Sequence, residues 1–256
     1  MLKHDITSII QYSKEMHHHC EAWKNAVMAA QYCLPIEILN RYLESDKDKI
    51  VLDWGCGDGH FSYLLAKKKL QIHAYSFNEI GVIDAIIKAQ TKFVFDQSQS
   101  FHPVDLPYEN EKFAAVFSVG VLEHVNEFGG NEIASLLEIN RILKPGGYCF
   151  IFHLPNKYSW IEFLHRGFKH IKLFNKYIHN NLYNSHDIHE MARVSNFSVV
   201  EMSRYNLFPR NFFKKLPNFL GNNKSVIFSI AMLEKICSYV LNRFAQNYCV
   251  VMQKRK

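Results

Sequence analysis

The sequence predicts an α/β fold, a doubly wound and mostly parallel sheet with helices on both faces. Three observations carry this. Short apolar runs alternate with helix-forming runs from residue 49 to residue 153. The first apolar run, Ile50 to Trp54, has an acid, Asp53, near its end. It leads into Gly55, Cys56, Gly57, Asp58 and Gly59, a loop with glycine at every second position. Ligands of such sheets bind beyond the carboxyl ends of the strands, and the loops singled out below follow strands.

Glycines in such a loop remove side chains where a ligand lies against the backbone. The helix that follows starts with unpaired N–H groups facing the ligand. Asp53 can accept hydrogen bonds from a cationic amine or from loop N–H groups. The spacing Gly-x-Gly-x-Gly is neither the Gly-x-Gly-x-x-Gly of a dinucleotide-binding turn nor a P-loop ending in Gly-Lys-Ser/Thr.

In chain order, residues 1–48 form a helical N-terminal segment with Trp23, Tyr32 and a helix over Pro35–Leu43. His17, His18 and His19 cannot share one helix face, so at most one would enter a pocket. The polar cluster from Ser45 to Asp48 marks the start of the core, residues 49–156. Its strands are expected at 49–54, 71–75, 91–95, 114–119 and 147–153, with helices at 60–69, 79–89 and 130–143. Residues 157–185 break the alternation as a helical cap. Residues 186–256 complete the sheet, with a helix from Ser185 (its expected N-cap) to Ser195, a strand at 198–202 and a last strand at 248–254. The apolar stripe over Ser225–Ala245 reads as a packed helix rather than an interfacial one.

Composition narrows the class. Apolar residues make up 48% and aromatics 14%, enough for a large core and a ring-lined pocket. The net charge of +6 is not gathered into an arm or run, so a mixed solvated surface is expected and no nucleic-acid partner. No run of 18 apolar residues occurs and the N-terminus lacks a secretory core, so stable membrane insertion is not expected. Six scattered cysteines read as reduced thiols in a cytoplasmic protein.

Two later segments join the glycine loop. One runs from Asp105, Leu106, Pro107 and Tyr108 through Phe117, Ser118 and Val119 to Leu122, Glu123, His124 and Val125. The other, Arg141 to Gly147, carries Leu-Lys-Pro-Gly-Gly into an apolar strand. In this order the three resemble class I S-adenosylmethionine (SAM) methyltransferases, most of all the small-molecule type that includes the ubiquinone and menaquinone methylases. The resemblance is strong over residues 48–156. It implies a Rossmann-like sheet of seven strands with the last strand antiparallel beside the sixth, and SAM as cofactor with S-adenosylhomocysteine as product. It places Asp53, Gly55, Cys56 and Gly57 at the methionine part of SAM, Ser76 and Phe77 beyond the second strand at the ribose, His102 towards adenine, and Ser118 and Val119 near the amino-acid end. Three positions depart from the family pattern. Ser76 and His102 stand where acids are usual, and Ala114 follows Phe113 in place of Asp. These allow either weaker SAM binding with the reaction preserved or a non-catalytic relative.

Methyl transfer from a sulfonium is an in-line displacement, so the protein mainly aligns and desolvates the acceptor. A hydroxyl acceptor also needs a base, and His124 and His153 follow the fourth and fifth strands at the right edge. In ubiquinone-type enzymes a Glu and a Glu-His pair can hold a divalent metal; here Gly120 replaces the first acid, and no metal is expected. His186 and His189 share a helix face without a third ligand at metal spacing. The cap residues Lys157, Arg166, Lys169, Lys172 and Lys176 favour an anionic small-molecule acceptor. The expected activity is O-methylation of a small molecule, with N- or C-methylation and a non-catalytic SAM-fold protein as alternatives. Oligomeric state is left open.

Overall fold

The computed structural model describes residues 2–16, 20–43, 49–68, 70–76, 95–99, 102–167, 179–208 and 210–255. Seven strands form one sheet: β1 (Ile50–Trp54), β2 (Gln71–Ser76), β3 (Phe95–Gln99), β4 (Phe113–Val119), β5 (Leu143–Pro155), β6 (Phe197–Tyr205) and β7 (Asn247–Lys254). Their order is β3-β2-β1-β4-β5-β7-β6. The pairs among β1 to β5 are parallel, and β7 is antiparallel to both β5 and β6. The order reverses between β1 and β4, which places the crevice for a ligand there.

The helices are α1 (Leu2–Met16), α2 (Ala26–Ala29), α3 (Cys33–Leu43), α4 (His60–Lys67), α5 (Glu132–Ile142), α6 (Trp160–Gly167), α7 (Ser185–Val194), α8 (Asn218–Gly221) and α9 (Lys224–Leu241). The central strands are buried on both faces and divide their side chains by alternation. Val51, Ala115, Phe117, Phe150 and Phe152 pack towards α1, α3 and α4. Leu52, Val116, Cys149 and Ile151 pack towards Leu136 and Ile139 of α5 and Ile188 of α7. Phe117 and Phe150 stack at 4.8 Å in the middle of the first layer.

The Leu-Lys-Pro-Gly-Gly motif has a steric reason. A Cβ on Gly147 would stand 2.8 Å from the Lys144 carbonyl oxygen and 3.0 Å from that of Ala114, so only glycine lets β5 pass β4 here.

Several expectations are corrected. The third strand covers Phe95–Gln99, beyond the expected end at 95, while residues 91–94 lie outside the described residues; β5 and β6 run longer at both ends. The N-cap of α7 is Asn184, not Ser185; its side chain accepts from the His186 and Asp187 N–H groups while Asp187 caps the Asn184 N–H in return. The expected helix at 79–89, His17 to His19, Lys169, Lys172 and Lys176 lie outside the described residues. α9 packs by one face only: Ile227 is its one buried residue, with Val226 and Ile230 partly buried beside it, and the opposite face is exposed. With the turn that follows it (to Phe244) it is long and apolar enough to cross a membrane.

Candidate active site

The glycine loop is hooked onto the sheet. The Gly55 and Cys56 N–H groups both donate to the Tyr75 carbonyl of β2, at 2.8 and 2.9 Å, and the Gly59 N–H donates to Cys56 at 2.8 Å. Gly55, Gly57 and Gly59 have φ of 77°, 49° and 68°, a region that side chains enter at a cost. Asp53 is buried and accepts from the hydroxyl and N–H of Ser62 in α4. Burial pushes its carboxyl up to about 6, and the Ser62 bonds restrain that rise. These bonds tie the strand end to α4, the helix that follows the loop.

Above the loop the site is open. A Cβ on Gly57 would meet nothing within 4 Å. At the adjoining edge the Ser118 Oγ and His60 Nδ1 are buried without partners. An open backbone cradle with unspent polar atoms fits the amino-acid end of SAM. Gly57→Val fills the cradle and strains the left-handed backbone by about 1–2 kcal/mol. Calorimetric titration is expected to show SAM affinity falling at least tenfold.

A cavity of about 640 Å³ adjoins this edge. Val119 and Gly120 enter it from the end of β4, Glu123 and His124 from the 3-10 turn Leu122–Phe128, and His153 from β5. Ile161 and His165 of α6, His179, Arg210 to Phe212, Tyr32 and His60 also line it.

His153 is placed by an irregularity. The β5–β7 register shifts between Ile151 and Leu154, and His153 has φ of 63°. A non-glycine residue held there costs energy and marks sites where a side chain must be aimed. The Tyr205 hydroxyl accepts the His153 backbone N–H at 2.9 Å and lies 3.0 Å from Nδ1 of the same residue. Both this hydroxyl and the Asn247 amide, 3.4 Å away, can donate to Nδ1, the arrangement that belongs to the Nε2–H tautomer. The imidazole proton is left on Nε2, which is buried and unpaired. Burial, then the Arg210 charge, hold the ring well below the usual histidine pKa, hence neutral. In that tautomer His153 carries a hydrogen-bond donor at Nε2.

A second chain runs from Arg210 to the Tyr32 hydroxyl (3.1 Å) and on to His60 Nε2 (2.7 Å). Burial and Arg210 lower the His60 pKa to about 3, and burial raises Tyr32 to about 12. Both rings stay neutral. In the cap, buried Glu162 binds His179 Nδ1 at 2.6 Å.

Glu123 is the group with base character. It is buried, its Oε2 has no partner, and burial raises its carboxyl to about 7. A Cβ on Gly120 would stand 3.8 Å from Glu123 Oε1 and 3.9 Å from His153 Cβ. Glycine at 120 therefore keeps open the gap between the carboxylate and the imidazole.

Asp53, Gly55, Cys56, Gly57, Ser76 and Ser118 stand at the carboxyl ends of β1, β2 and β4, and Val119, His124 and His153 line the cavity. His124 sits at the rim, half-exposed and bonded to Glu127 at 2.8 Å. His102 is exposed and does not line the cavity; its carbonyl accepts from the Tyr75 hydroxyl at 3.0 Å. Phe77 lies outside the described residues. Sequence reading missed Tyr32, His60, Tyr205, Arg210 and Asn247 as site residues, and met Glu123 only as half of a metal pair. Among the described residues no group of three or more His, Cys, Asp or Glu side chains is arranged for a metal ion.

Comparison with known proteins agrees with this geometry. Residues 27–202 match the family model described as a methyltransferase domain. An uncharacterized protein of Methanocaldococcus jannaschii is 33% identical over 142 residues, 55% of either chain. The tRNA U34 carboxymethyltransferase of Campylobacter fetus is 32% identical over 111 residues, 41% of this chain and 36% of that one. The chain thus spans about half, or less, of the length of these relatives. The phosphoethanolamine N-methyltransferase 2 of Haemonchus contortus, solved with SAM, superposes with a TM-score of 0.57 at 18% identity, over 87% of this chain and 52% of that chain. With the family model covering most of the chain and the sheet and glycine cradle in place, the chain belongs to the methyltransferase-domain family and carries a class I SAM-dependent methyltransferase domain.

Proposed function

We propose that this chain moves the methyl group of SAM to a hydroxyl of a small anionic acceptor held in the 640 Å³ cavity. The observation that carries this is the cavity's charge pattern. Arg210 and Lys215 line it as positive charges, beside the neutral rings of His60 and His153, and among the described lining residues Glu123 is the one carboxylate. Arg210 and Lys215 suit a phosphate or carboxylate. Glu123, poised near neutrality, takes the hydroxyl proton. The His153 Nε2–H steadies the oxygen as its charge grows. Bound SAM supplies an electrophilic methyl group. A neutral amine needs no base, so the Glu123 arrangement favours oxygen over nitrogen. The free thiols suit a cytoplasmic setting.

Arg210→Gln is the test of the anionic part. The expected result is an acceptor KM raised at least tenfold with SAM affinity within threefold of wild type. Equal KM values for wild type and variant on phosphorylated and carboxylated acceptors would end this reading. The named activity of the Campylobacter fetus relative makes RNA the second candidate acceptor, since phosphodiesters would meet the same cations. Methyl incorporation into bulk tRNA, against none into small acceptors, would select it. A protein that binds SAM and never consumes it would be the non-catalytic alternative.

A further inference from the structure

Between β6 and β7 the chain leaves the sheet at Asn206 and returns at Gln246, whose N–H donates to the Asn206 carbonyl at 3.0 Å. This excursion holds α8 and α9. Of the fifteen large apolar side chains exposed among the described residues, nine belong to it. Tyr239 is 92%, Val240 78% and Ile236 62% exposed. Leu233, Ile236 and Val240 follow each other at i, i+3 and i+7, so they form one stripe along α9. Phe212 and Phe219 add two exposed rings from the segment before it. Surface apolar area gathered in this way marks a contact.

Charge says with what. Residues 206–246 carry six cations, Arg210, Lys214, Lys215, Lys224, Lys235 and Arg243, against one acid, Glu234. That acid is turned inward, where its carboxylate accepts the N–H groups of Leu207 and Phe208. An apolar stripe set in basic residues complements a lipid interface bearing anionic headgroups. We propose that α9 docks this protein onto the surface of an anionic bilayer.

The geometry makes the contact peripheral. Ile227 packs with Ala26 and Val27 of α2, and Glu234 ties the middle of α9 to the end of β6. The Asn242 amide donates to the Arg204 carbonyl, and the Arg243 carbonyl accepts from Asn156. The helix is therefore fastened to one domain along its length, and β6 and β7 pair from Tyr205↔Asn247 onwards. A helix whose flanks belong to one sheet edge lies in the interface and does not cross it. Arg210 and Phe212 of the same excursion line the acceptor cavity, so the docking surface and one cavity wall are parts of a single unit.

The test uses the full chain and sedimentation with vesicles of phosphatidylcholine, with and without phosphatidylglycerol. The expected result is binding at least tenfold tighter to the anionic vesicles, weakening as salt is raised. Ile236→Ser/Val240→Ser, judged folded by circular dichroism and unchanged SAM affinity, is expected to lose at least tenfold of that binding. Wild type that stays in the supernatant with anionic vesicles at low salt overturns the proposal, whether or not the variant folds. Vesicle binding equal in wild type and folded variant overturns it too. So does a wild-type homodimer in sedimentation equilibrium that the double substitution dissociates, if vesicle binding is absent; the stripe would then face a second copy.

Discussion

Glu123→Gln is expected to lower kcat by about 10²–10⁴-fold while making the protein more stable above pH 7. The rate loss follows from removing the one carboxylate of the described cavity lining, whose Oε2 has no other partner. The stability gain follows from linkage. Burial raises the folded-state pKa of Glu123 from 4.5 to about 7. The folded protein therefore binds this proton more tightly than the unfolded chain does. The stabilisation is fully present below pH 4.5 and is lost as the pH rises through about 7. At pH 8 the buried carboxylate costs on the order of 3 kcal/mol, and glutamine relieves that cost. Asp53 shifts in the same direction, to about 6, so the variant should keep a smaller decline in stability between pH 4 and 6. Two measurements check this. The wild-type kcat should rise with pH around an apparent pKa near 7, and melting curves should separate the two proteins progressively as the pH rises above 4.5, the gap reaching its full size just above pH 7. A variant that keeps its rate within threefold removes Glu123 from the reaction, whatever its melting temperature.

The sheet and the cofactor loop were legible because backbone requirements write themselves into sequence. Gly55, Gly57 and Gly59 all take positive φ, Gly147 admits no Cβ, and the apolar runs from Ile50 and Gly147 are strands buried on both faces. The acceptor site was less legible because it is assembled from afar. Tyr32, His60 and Arg210 meet across 178 residues of chain, and Tyr205 reaches His153 across 52. Nothing local in the sequence announces such contacts. Glu123 shows the same limit in another form. The sequence places it beside His124, but only the fold shows that the glutamate is buried in the cavity wall while the histidine stands half-exposed at its rim. The exposure of α9 was hidden for a related reason. An apolar stripe reads alike whether a partner element or a foreign surface covers it.

His153→Ala should cost about 10²–10³-fold in kcat, comparable with removing one donor from an oxyanion site. His124→Ala should stay within threefold of wild type. The two histidines follow neighbouring strands and looked equivalent as bases. Their surroundings separate them. Both are half-buried, but the His124 ring is held by Glu127 at the rim, whereas the His153 Nε2 is out of reach of water and its Nδ1 faces Tyr205. A base needs a free lone pair facing the acceptor, whereas the role proposed above has His153 offer a proton there. This leads to a distinction that activity loss alone would not give. If His153 is a donor, its substitution lowers kcat without moving the pH profile, because Glu123 sets the apparent pKa near 7. If it is the base, the rise of rate with pH disappears. Tyr205→Phe sharpens the contrast, since it frees Nδ1 and lets the imidazole proton move to that nitrogen. The donor role predicts that this loss of one hydroxyl, remote from the acceptor, slows turnover about tenfold, as the fixed tautomer is worth roughly one neutral hydrogen bond. His153→Asn is the companion variant. Asparagine tolerates the left-handed backbone that His153 occupies and keeps an N–H donor on a shorter side chain. A donor role therefore predicts partial recovery over alanine, with an unmoved pH profile. Equal activity of the alanine and asparagine variants would show that the ring fills space beside Tyr32 and Tyr205 and touches no reacting oxygen.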